Sequence, residues 1–148
     1  MTRQVNTIFC DDIRNEVGGK LSFIGVYSSR MYVPSFPVIL PKLCVIMSVI
    51  TPASTPFKML TLRILKDDEM YAEGEIPENE LTKSEAVMNE NGEIDSNSRL
   101  FSYTAHFVFS PFQIEGPCVL RIRAITEDGE LKGAGLRIDQ APQSEPSS

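Results

Sequence analysis

The chain contains no tryptophan, one histidine and three cysteines, and each scarcity removes a class of explanation. Without tryptophan, the large core pieces must come from eight Phe and four Tyr. With His106 as the sole imidazole, a serine or cysteine nucleophile has one candidate base. Cys44 and Cys118 both sit in apolar runs, which disfavour a thiolate and so a Cys–His pair. Cys10, Cys44 and Cys118 are odd in number and far apart, with no zinc-ligand spacing. They read as buried free thiols in a reducing compartment.

Long apolar runs are also missing. None approaches the ~18 residues of a membrane span, and the opening MTRQVNTIF lacks the apolar centre of an export signal. No membrane association and a cytoplasmic location are the resulting expectations. Positive charge is in deficit, with 14 Lys and Arg against 20 Asp and Glu, a net charge of −6. Nucleic-acid affinity rests on cations neutralising phosphates, so nucleic acid is not an expected partner. Gly18-Gly19-Lys20 lacks the flanking pattern of a phosphate loop. Gly133-Ala134-Gly135 lies in a strand-like run, where small residues mark a bulge or a close backbone contact. No cofactor is expected.

What is present is a rhythm of short apolar and aromatic runs from Gln4 to Ile138, broken by glycine, proline and acidic turns. At 148 residues and 42% hydrophobic content, the chain has the size and composition of one globular domain. Val5–Cys10 reads as a strand ending at Asp11-Asp12, and Lys20–Tyr27 as its successor across the Gly18-Gly19 turn. Leu43–Ile50 is apolar on both alternations, which predicts a strand covered on both sides. Phe57–Lys66 and Met70–Ile76 flank the polar turn 66–69 as a hairpin. Arg99–Phe109 puts Phe101, Tyr103, Ala105, Phe107 and Phe109 on one face. Val119–Thr126 and Leu131–Ile138 flank Asp128-Gly129, a strong hairpin signal.

Residues 77–98 are polar, and Thr82-x-x-Glu85 resembles a capping box that predicts one short helix. The predicted fold is all-β: a two-layer antiparallel β-sandwich, immunoglobulin-like or C2-like, over residues 1–139. A disordered tail is expected from 140 to 148.

Three groups of residues are candidate sites. Met31, Tyr32, Val33 and Phe36, in a proline-interrupted segment expected at a sheet edge or crossing between sheets, form an exposed-apolar candidate for a protein partner or a second copy. Arg121 and Arg123 share one strand face, where they can grip anions or pair with Glu73 or Glu75. Asp11, Asp12 and Glu16 read as an acidic loop able to hold a metal or small ligand, with Glu127, Asp128 and Glu130 as further carboxylates if the loops share an end. The leading expectation is a non-catalytic, intracellular, protein-binding or self-associating module. The alternatives are a ligand- or metal-binding protein using residues 11–16, and a phage-encoded modulator of a host protein.

The runs FCDDIRNEVGGKLSFIGVY (Phe9–Tyr27) and PVILPKLCVIM (Pro37–Met47) resemble those of a family of small uncharacterised β-rich proteins from bacteria and their phages. The likeness extends over nearly the whole chain and is weakest after Pro77. It implies a bacterial or prophage origin and an intracellular β domain. It brings neither an activity nor catalytic residues.

Overall fold

The computed structural model describes residues 2–81 and 100–142, and among them the only regular elements are strands. In chain order these are β1 (Gln4–Asn15), β2 (Leu21–Tyr27), β3 (Arg30–Val33), β4 (Val38–Leu40), β5 (Leu43–Pro52), β6 (Leu60–Lys66), β7 (Glu69–Glu75), β8 (Leu100–Phe109), β9 (Phe112–Ile114), β10 (Cys118–Thr126) and β11 (Gly129–Gln140). The helix expected after Thr82 lies outside the described residues.

A four-stranded sheet has the order β2-β1-β5-β8, a five-stranded sheet the order β3-β11-β10-β6-β7, and β4 pairs with β9 as a separate ribbon. All pairings are antiparallel except β3 with β11, which is parallel and departs from the antiparallel expectation. Both sheets turn one face into a single hydrophobic cluster. Phe9, Val45, Met47, Val49 and Tyr103 enter it from the first sheet, and Leu62, Ile64, Leu120, Ile122 and Leu136 from the second. These side chains alternate along their strands, as the two-residue period of a strand requires. Leu43 through Met47 are all buried, so β5 is covered on both faces, as its unbroken apolar run predicts.

The turns follow local chemistry. Asp67 closes the β6–β7 hairpin in a left-handed conformation (φ 56°), which aspartate tolerates. Gly129 opens β11 with φ 119°. Between Leu120 and Ile122 the β10–β11 register slips. A side chain on Gly135 would meet the Leu120 carbonyl at 2.5 Å, so the glycine-rich stretch fits a bulge and a close backbone approach.

Two boundaries differ from the sequence reading. β1 does not stop at Cys10 but runs through both aspartates to Asn15, pairing with Leu21–Ile24. The intervening turn shrinks to Glu16–Lys20, closed by the Glu16 N–H donating to the Lys20 carbonyl at 2.8 Å. Cross-strand hydrogen bonds hold this polar end of the hairpin, because Arg14, Asn15 and Leu21 are all exposed. At the other end of the chain, Gln140 belongs to β11, and the Ala141 N–H donates to the Val33 carbonyl. Residues 140 and 141 of the expected tail are thus tied to the second sheet, and residues from 143 lie outside the described set.

Candidate interaction surface

The outer face of the four-stranded sheet is built by ladder rows. Val26, Cys10, Cys44 and Val108 stand opposite one another across β2, β1, β5 and β8. The next rows are Ile8–Ile46–His106, Asn6–Ser48–Thr104 and Gln4–Ile50–Ser102. Ser48 Oγ and Thr104 Oγ1 hydrogen-bond at 3.0 Å, tying β5 to β8 on this face. Not one Asp, Glu, Lys or Arg occurs in these four rows. Cys10, Cys44 and Ile46 form a small second core there, packed by Ile8, Ile13 and Phe23. Val26 (58% exposed) and Val108 (54%) project from the two ends of the cysteine row. The nearest charges beyond that row, Asp12 and Lys42, neutralise each other at 3.0 Å.

The second sheet turns a different outer face to water. Its rows read Lys132–Arg123–Arg63–Glu73 and Glu130–Ile125–Thr61–Glu75. Arg63 pairs with Glu73 and Arg123 with Glu130, each at 3.0 Å. An antiparallel sheet with one solvated face carries charge there, as this one does. The four rows of the first sheet from Gln4 to Val108 lack that charge.

The structure relocates several residues singled out from sequence. Met31 and Val33 are each 2% exposed and belong to the core, because the alternation of β3 turns them inward. Tyr32 alone points outward, its hydroxyl 3.4 Å from Arg30 Nη1. Phe36 is half-buried against the main core, so residues 31–36 form no exposed apolar patch. β3 lies at a sheet edge, one of the two placements, edge or crossover, that the prolines following it at 34, 37 and 41 predict. Arg123 pairs with Glu130 rather than with Glu73 or Glu75, because β6 lies between β10 and β7 and Arg63 takes Glu73. Arg121 is exposed on the bulged part of β10.

The carboxylates expected on one acidic loop are divided by the strand they occupy. Asp11 accepts a 2.5 Å hydrogen bond from the Tyr27 hydroxyl, and burial with this carboxylate pushes the phenol well above its ordinary pKa. Asp12 is held below its usual range by Lys42. Glu16 stands apart in the turn, and Glu127 and Glu130 bond to Arg3 and Arg123. Among the described residues, no three His, Cys, Asp or Glu side chains converge as metal ligands. A cleft of about 470 Å³ between residues 66–69 and 115–118 is walled by the carboxylates of Asp67, Asp68, Glu69 and Glu115 together with Lys66, Pro117 and Cys118.

His106 is exposed opposite Ile46, one row from Cys44. The cysteines are buried, and burial raises all three thiol pKa values, Cys10 to about 11. Neutral buried thiols are poor nucleophiles.

Residues 6–139 match one family model, described as a family of unknown function (DUF6941). The chain belongs to that family. The DUF6941 match takes in both sheets, omitting only the first two residues of β1 and the last of β11. No curated protein and no solved structure matches the chain.

The uncharged face could have been found in the sequence by one signal. The alternate positions 4–10, 44–50 and 102–108 are uncharged in a chain where 23% of residues are charged. Knowing that these three strands are neighbours was the missing step.

Proposed function

We propose that this DUF6941 member is a non-catalytic binding module that self-associates through the outer face of its four-stranded sheet. The observation that carries this reading is the absence of charged side chains from the four rows between Gln4 and Val108. Interface centres are depleted of charge and enriched in well-packed apolar groups. Two copies of an acidic protein repel each other, and a face without carboxylates is where that repulsion is weakest. The second copy is therefore the occupant this face suits. The reading takes the two sheets as layers of an immunoglobulin-like or C2-like sandwich, supported by their shared core, with the free outer face of one layer available for docking.

Sedimentation velocity over a range of protein concentrations tests it. The expected result is a dimer that dissociates on dilution and that Val26→Asp or Val108→Asp weakens at least about tenfold, the effect of losing roughly 1.4 kcal/mol. Both side chains are more than half exposed, so folding is preserved. A monomer at every concentration, or a dimer indifferent to both substitutions, overturns the reading.

A further inference from the structure

Cys10 and Cys44 face each other across the β1–β5 ladder, and among the described residues they belong to no metal-ligand cluster. We propose that they are a redox pair that closes into a reversible cross-strand disulfide. This inference stands on the ladder register and goes beyond the self-association reading: the bond can form whether or not the face docks a second copy.

Directly opposed residues of an antiparallel ladder have Cα atoms about 4.5–5.5 Å apart. Disulfides span Cα separations of roughly 4.4–6.8 Å, so the pair can close without moving the backbone. Opposed side chains also point to the same side of the sheet. Here both enter one small cluster with Ile46, at 0% and 1% exposure. The thiols donate to consecutive carbonyls of β1, Cys10 Sγ to the Asp12 oxygen at 3.4 Å and Cys44 Sγ to that of Asp11 at 3.9 Å. Cys118 starts β10 in the other sheet, opposite Ile138, and has no place in the pair.

The oxidant is a small-molecule disulfide such as glutathione disulfide. One cysteine, as thiolate, attacks a glutathione sulfur, forming a mixed disulfide and expelling one glutathione thiolate. The second cysteine then attacks the protein sulfur of that mixed disulfide and expels the other glutathione. The two protein thiols lose two protons and two electrons, and glutathione disulfide is reduced to two glutathione molecules. Ile8, Ile13 and Phe23 pack over the pair, so the exchange is slow and speeds up as pH rises and thiolate becomes available. The bond would cross-link a loop holding β2, β3 and β4, constraining the unfolded chain and raising the melting temperature.

The test incubates the full reduced chain with glutathione redox mixtures at about pH 8.5, the ordinary thiol pKa. The product is acid-quenched, alkylated in denaturant and digested with trypsin for mass spectrometry. The expected product joins the peptides Gln4–Arg14 and Leu43–Lys58, is lighter by two hydrogens, and leaves Cys118 alkylated. The same link is expected in Cys118→Ser. Three alkylated thiols in even the most oxidising mixture, a product carrying glutathione alone, or a bond engaging Cys118 each overturn the proposal. The decisive readout uses the unmodified chain, so it does not depend on a buried substitution folding.

Discussion

Arg3 and Glu127, 124 positions apart, are joined by an ion pair of 2.6 Å that ties the start of the chain to the turn between β10 and β11. Arg3 also donates to Thr51 Oγ1 and to the Thr55 and Pro56 carbonyls, and its guanidinium lies 4.4 Å from the centre of the Phe57 ring. Its Nη1 sits 3.3 Å from Asp128 Oδ2 without the alignment of a hydrogen bond. A planar, multi-donor cation suits this position, and lysine could not reproduce the set.

Arg3→Ala should therefore cost about 2–3 kcal/mol, more than an ordinary surface pair, because several polar groups lose a partner at once. For a chain of this size that is a fall in melting temperature of roughly 4–12 °C, measurable by calorimetry. A change below about 1 °C would show that the network contributes little.

The same site sets an acid limit. Burial alone would raise the Glu127 pKa, but the Arg3 hydrogen bond and the Lys58 N–H win, and the carboxyl is held below its ordinary value of 4.5. The unfolded chain then binds a proton more readily than the folded one. The stability contributed by Glu127 is present above the ordinary carboxylate pKa and is lost as pH falls through the lowered folded value. Melting temperature should drop between about pH 5 and pH 3, and Glu127→Gln should flatten that drop while lowering stability at neutral pH. An unchanged acid slope in the variant would assign the effect to other carboxylates.

Gly25 and Asp11 form a second coupled pair. Gly25 has φ 69°, and a Cβ placed there would lie 2.1 Å from Asp11 Oδ2. Gly25→Ala should destabilise by about 2–4 kcal/mol, combining left-handed backbone strain with displacement of the Asp11–Tyr27 hydrogen bond. Adding Asp11→Ala removes the obstructing carboxylate, so the double variant should be less destabilised than the sum of the two single ones by at least about 0.5 kcal/mol, read by denaturant titration. Strict additivity would mean that backbone strain is the whole effect.

The all-β class, the buried β5 and the Asp128-Gly129 hairpin were legible because each rests on a pattern several residues long. The inward aromatic face of β8 was legible for the same reason. Errors arose where the pattern was short or masked. β3 has four residues, too few to fix its phase, so Met31 and Val33 looked exposed when they are core. Asp11-Asp12 looked like a turn because carboxylates cap turns, yet pairing with β2 carries the strand through them. At the same place the alternation slips: Ile8 and Cys10 share a cluster with Ile13 rather than with residue 12. The uncharged face was hidden for a different reason, since it exists only once β1, β5 and β8 are known to lie side by side.

During synthesis, β3 leaves the ribosome early, while its neighbour in the sheet, β11, is the last of the described strands to be made. β1, β2 and β5 can pair as soon as they emerge, but Met31 and Val33 must wait for the whole intervening chain. β10 arrives just before β11 and provides Leu120 and Ile122, which cover the apolar face of the first sheet. A nascent chain that stalls before β10 and β11 thus carries an orphan strand and an open core. The last two strands act as the closing stitch, and the moment of greatest vulnerability to aggregation comes just before they appear.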